Sequence, residues 1–237
     1  MHPEFYLANG HRFHPHQFRS AGFDALQYSE KSQEAVRSSV SPSFKYLQDN
    51  STIIVPPVGA PAASSGIEVY GAPWQPEFNN WAFNLPPGPE LKAKWDMIPD
   101  TTDVLITHGP PYMVLDRLLE GDLTGCQQLR DAVARVKPRL HIFGHIHEGY
   151  GKYTCLKAKR LCRNAFHSYS RVAPSSPVYL PTKLTPSGTY FDGTTTFVNA
   201  CTCTRDYVPS NPPIVIDLPL DPTLPARVVH VGEKEEL

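Results

Sequence analysis

Asp103-Val104-Leu105-Ile106-Thr107 is an apolar run of strand type, and Leu140-His141-Ile142-Phe143 is another. Between them, Leu123 to Val136 carries Cys126, Leu129, Val133 and Val136 on one face of a predicted helix, with Gln128, Arg130, Asp131 and Arg135 elsewhere. Pro138 ends it. Strand, helix and strand in that order constrain the fold more than any other feature of the chain. The two strands are expected to lie parallel in one sheet, joined by a right-handed crossover. Their carboxyl ends then share an edge, which is where open α/β sheets bind ligands. His108 follows the first strand at once, and His145 and His147 follow the second.

The second turn, Gly144-His145-Ile146-His147-Glu148-Gly149-Tyr150-Gly151, offers two imidazoles two residues apart between glycines. On extended backbone, residues i and i+2 point to the same side. Glycines without a Cβ let the chain turn sharply beside a bound group. The plain alternative is a pair of surface histidines in a Gly-rich turn. Adding His108 from the neighbouring strand brings three imidazoles to one edge, a donor set suited to a transition metal.

Other candidates carry less. His2, His11, His14 and His16 match the spacing of no closed metal site. Cys201 and Cys203 form Cys-x-Cys, a weak metal signal that also suits a strand of small residues. Lys152, Lys157, Lys159, Arg160 and Arg163 make a basic patch that reads as a solvated insertion more than as a phosphate site. Asp116 and Asn199 read either as partners that orient the histidines or as ordinary loop and strand-end hydrogen bonders. Cys126 falls on the apolar helix face and no Gly-x-Ser-x-Gly elbow occurs, so a thiol or hydroxyl nucleophile lacks support. A histidine-triad hydrolase would need a third alternating His, and position 149 is Gly.

With 237 residues, 41% hydrophobic and a formal net charge of −1, the chain suits one globular domain. No basic excess points to nucleic acid or an anionic membrane. No stretch approaches the roughly 20 apolar residues of a membrane span. The start, Met1-His2-Pro3-Glu4, has no basic segment leading into an apolar core, and the cysteines number five, an odd count. A cytoplasmic protein with reduced thiols is expected. Its 25 prolines foretell long loops, among them Pro56 to Gly66. Tyr28 to Ser43 has modest helical character, and Leu91 to Trp95 reads as a short helix. Ile53–Val55 and Ile67–Tyr70 read as strands, and Trp74, Phe78, Trp81 and Phe83 as core aromatics under a loop. Thr194–Val198, Pro213–Leu218 and Ala226–Val231 are predicted strands with no helix between them, which favours antiparallel pairing.

Thr107-His108-Gly109-Pro110-Pro111 and Phe143-Gly144-His145-Ile146-His147-Glu148-Gly149 resemble two signature blocks of the calcineurin-like metallophosphoesterases. Tyr70 to Pro76, Trp81 to Asn84, Phe197 to Ala200 and Asn211 to Val215 look like the eukaryotic metallophosphoesterase-domain-containing branch. The resemblance covers residues 67 to 151 closely and 194 to 219 well. It implies an α/β fold of two packed mixed sheets flanked by helices, as one domain over 1–237, with 152–193 as a loop insertion. It implies a phosphate ester as substrate and a dinuclear centre of divalent Mn, Fe or Zn. By position His108 and His145 would ligate one ion and His147 the other.

The family's Asp-x-His, Gly-Asp and Gly-Asn-His blocks have no counterpart here. Asn9-Gly10-His11 is not the last of them, because its surroundings resemble the segment that follows that block. The chain is therefore expected to be an N-terminally truncated domain without the family's proton donor. Two readings follow: a metal-dependent phosphodiesterase or phosphatase, impaired or inactive in this form, or a non-catalytic homologue that binds a metal or a phosphate compound.

Overall fold

The computed structural model describes residues 31, 34, 35, 38, 44–56, 66–79, 82–154, 195–224 and 226–231. The strands are β1 (Asn50–Ile54), β2 (Ile67–Ala72), β3 (Gln75–Pro76), β4 (Asn84–Leu85), β5 (Val104–Thr107), β6 (Leu140–Phe143), β7 (Gly151–Thr154), β8 (Thr196–Asn199), β9 (Ile214–Asp217) and β10 (Arg227–Val231). Helices α1 (Pro89–Asp96) and α2 (Gln127–Val136) accompany them. Among the described residues the main sheet has six strands in the order β1-β2-β5-β6-β8-β7. Its centre, β2, β5, β6 and β8, is parallel, and the edges β1 and β7 are antiparallel. The crossover from β5 through α2 to β6 forms as its pattern predicts.

Alternation along the strands divides the side chains between two cores. On one face Tyr70, Leu105, Phe143 and Phe197 pack with Leu91, Trp95 and Ile98 and with Leu129, Ala132, Val133 and Val136. On the other, Val69, Val104, Leu140 and Val198 meet Ile214, Ile216 and Val228 of the β9–β10 ribbon. The result is a layer of helices, a mixed sheet and a smaller sheet, an α/β sandwich whose second sheet has two strands among the described residues. Arg139 ties the ribbon to the main sheet. Its guanidinium donates to the carbonyls of Leu224 at 3.0 Å and of Pro219, and lies 3.6 Å from the Asp103 carboxylate.

Several expectations are corrected. Helix α2 begins at Gln127, four residues later than its apolar pattern suggests, with the Cys126 thiol accepting from the Leu129 N–H as its cap. Residues 123–126 are held as a loop instead. The buried Asp116 carboxylate accepts from the N–H groups of Met113 and Gly125 at 2.9 and 3.0 Å. A Cβ at Gly125 would come 2.6 Å from the Pro111 carbonyl oxygen, so this close approach requires glycine. Strand β8 pairs in parallel with β6, against the expectation of antiparallel pairing in this half, while β9 and β10 are antiparallel. Hydrogen bonding to β6 fixes that direction, since strand β7 reverses the chain at the sheet edge before β8 returns. Strand β7 also takes Lys152 to Thr154 into the sheet, leaving 155–193 of the predicted insertion outside the described residues.

Of the four aromatics, Phe83 is buried and Trp74 half-buried, Phe78 is 54% exposed, and Trp81 lies outside the described residues. Strand β2 runs through Ala72, past the predicted stop at Gly71. Of the segment from Tyr28 to Ser43, Lys31, Glu34, Ala35 and Ser38 are described and are helical.

Candidate metal centre

The parallel run puts the carboxyl ends of β5, β6 and β8 along one edge, so the residues that follow them share that space. His108 leaves β5 and His145 follows β6, both half-buried. His108 Nε2 and His145 Nδ1 stand 3.1 Å apart, with ring centroids 4.6 Å apart. One nitrogen donates and the other accepts, according to tautomer. The two turns are also joined through the backbone, because the Gly144 N–H donates to the His108 carbonyl at 3.0 Å.

His145 has φ +68°, in the left-handed region, and the Ile146 N–H donates back to the Gly144 carbonyl at 2.8 Å. A non-glycine residue held there costs about 1–3 kcal/mol and persists where its surroundings over-determine it. Tight reversal at this point swings the His145 ring toward His108 instead of along the strand.

His147 opens a single 3₁₀ turn, His147–Gly149. Its Nδ1 lies 2.7 Å from the Thr204 carbonyl oxygen, with the Tyr207 ring edge-on at 5.2 Å. A carbonyl only accepts, so Nδ1 carries the proton and Nε2 is the lone-pair nitrogen of the neutral ring. That is the tautomer a ligating histidine adopts when its other nitrogen is held by backbone. The structure thus brings His108 and His145 together and leaves His147 to one side. Among the described residues no three His, Cys, Asp or Glu side chains are grouped to hold one ion. A single ion shared by all three rings is therefore not what this arrangement offers. With the proton between them released, the facing nitrogens of His108 and His145 would both present lone pairs to one cation, and His147 would be a separate donor.

Behind the site, His141 is fully buried between the rings of Phe143 and Phe197. The Thr107 hydroxyl donates to the Gly109 carbonyl and accepts from His141 Nε2, each at 2.8 Å. The turn carrying His108 is thereby anchored to β6 through its side chains. Burial holds the His141 imidazole down at about 3.

Asn199, at the end of β8, touches the site's backbone. Its Nδ2 donates to the carbonyls of Ile146 at 2.8 Å and Leu115 at 3.3 Å, and its Oδ1 accepts from the Cys201 N–H at 3.2 Å. Asp116 braces the neighbouring loop, and burial raises its carboxyl above the usual aspartate value against the backbone bonds that lower it. Cys201 and Cys203 lie in the loop after β8 and not within a strand. Burial, with Cys203 and Glu148 nearby, pushes the Cys201 thiol up to about 12. The histidines at 2, 11, 14 and 16, and the basic residues at 157, 159, 160 and 163, lie outside the described residues. Among the described residues no helix is long and apolar enough to cross a membrane.

Fold and site together define an α/β sandwich with converging imidazoles at the carboxyl edge of a mixed sheet. No protein-family model matches the chain. It is 42% identical over 176 residues to metallophosphoesterase domain-containing protein 1 of Homo sapiens, an alignment covering 73% of this chain and 40% of that protein. The Mus musculus protein of the same name gives the same identity and coverage. A UPF0046 protein of Caenorhabditis elegans is 37% identical over 158 residues, covering 66% of this chain and 31% of its own length. The chain belongs to the metallophosphoesterase-domain family. It spans about two-fifths of the length of the mammalian relatives, 40% in each.

Proposed function

We propose that the chain carries part of the centre of a metal-dependent phosphoric ester hydrolase. The observation that carries this is the His108–His145 pair, two imidazole nitrogens 3.1 Å apart on turns joined by a backbone hydrogen bond. Two such donors, with the His147 Nε2 turned outward from its Thr204 bond, suit a borderline divalent ion of the Mn, Fe or Zn kind. A cation held there would supply positive charge opposite the phosphoryl oxygens of a phosphate ester. In the hydrolysis a water oxygen forms a new bond to phosphorus, the bond to the leaving oxygen breaks, and that oxygen departs with a proton. The chain's own residues would hold the donors at fixed spacing and keep His147 in one tautomer. We place it in a reducing compartment, the cytoplasm, consistent with free thiols at Cys126, Cys201 and Cys203.

A second reading has a specific observation in its favour. The same two facing nitrogens would serve a protein that binds one ion, or a phosphate compound, without turnover. An activated phosphodiester assayed with Mn²⁺, beside His145→Ala, separates the two. Turnover lost in His145→Ala supports the hydrolase, and turnover that survives it rules this site out. Stoichiometric metal binding without turnover, abolished by the same substitution, supports the binding protein.

A further inference from the structure

We infer that Asn199 is the positioning residue of the histidine pair, holding the Ile146 carbonyl and with it the left-handed turn that aims His145 at His108. This rests on the metal-centre reading proposed above. Asn199 is completely buried and sits opposite Phe143, the last residue of β6, so it reaches across just where that strand gives way to the histidine turn. Its three partners are two carbonyl oxygens and one N–H. A carboxamide, with two donor hydrogens on one arm and an acceptor on the other, matches that demand; a carboxylate or an aliphatic chain of the same size does not.

The peptide between His145 and His147 is gripped from both sides. The Ile146 N–H donates to Gly144, and its carbonyl accepts from Asn199 and from the Gly149 N–H at 3.0 Å. Gly149 completes the seat. A Cβ there would fall 1.9 Å from the Leu115 carbonyl oxygen and 2.8 Å from Asn199 Nδ2, so glycine is what lets the turn settle against the amide. Left-handed backbone is uncommon for a residue with a Cβ, histidine included, and at His145 the bonds of the neighbouring Ile146 peptide hold it.

Co²⁺ alone, titrated into the whole chain and followed by its visible absorption, tests this. Asn199→Ala and Asn199→Asp are expected to bind Co²⁺ about 10- to 100-fold more weakly, with an altered absorption envelope. Val198→Ala alters the adjacent residue in the opposite core, and is expected to lower the melting temperature while leaving affinity and spectrum unchanged. Asn199 variants that bind as the parent does, or a Val198→Ala that weakens binding equally, would overturn the inference. Should Asn199→Ala fail to fold, Asn199→Asp keeps the shape and the bond from Cys201. Should that fail too, the Asn199 amide protons of the parent chain must shift in NMR when Zn²⁺ is added, and constancy would overturn the inference. Parent protein that binds no Co²⁺, or His145→Ala that binds it undiminished, removes the metal centre itself and this role with it.

Discussion

His141 lies in a row of core side chains, with Leu105 and Phe197 as its register partners on β5 and β8. An apolar row that accepts an imidazole must keep it neutral. Unfolded, the ring takes a proton below about 6.5, whereas folded it resists until about 3. Between those values the unfolded chain binds more protons, so the stability this group contributes is whole above 6.5 and drains away as pH falls toward 3. His141→Phe should flatten that slope by up to one proton, about 1.4 kcal/mol per pH unit, in urea titrations at a series of pH values. An unchanged slope would count against it. Asp116→Ala leaves the Met113 and Gly125 N–H groups without their acceptor and should cost about 2 kcal/mol or more by thermal melting. Neither burial was visible in the sequence. His141 stands inside a strand pattern that gives no sign of Thr107, and Asp116 looks like any loop aspartate until Gly125 is brought back to it.

The crossover was legible because its evidence is local: an apolar run, a helical period and a breaking proline. So was the convergence of His108 and His145, which follows from two parallel strands ending together. What could not be read was where contacts distant in sequence override the period. Leu123 to Cys126 continue the helical pattern, yet the loop grip of Asp116 and the crowding at Gly125 claim them first. Gly125→Ala should therefore destabilise by about 1–3 kcal/mol, although alanine favours helix, because the methyl meets the Pro111 carbonyl. The opposite holds at the other end of α2. Lys137 caps it in the left-handed region at φ +55°, and Lys137→Gly should stabilise by about 0.5–1 kcal/mol in denaturant titrations. Likewise β8 could be seen as a strand but not as a parallel one, since its direction depends on β7 returning along the sheet edge.

Across the whole molecule, the β9–β10 ribbon is joined to the main sheet by apolar packing and by the Arg139 guanidinium, which satisfies loop carbonyls 80 and 85 residues away in sequence. Arg139→Ala should loosen that layer selectively. Hydrogen exchange is expected to quicken in β9 and β10 while the amides of β5 and β6 keep their protection, and uniform acceleration would show that the layers unfold as one.

Thr154 and Thr196 face each other across the β7–β8 ladder, so the chain leaves the sheet and re-enters it at neighbouring points. Whatever lies between two such points is, to the sheet, a closed errand whose length enters only through a logarithm. Swapping the residues between them for a short reversal should leave the β7–β8 pairing in place, which hydrogen exchange in those two strands would check.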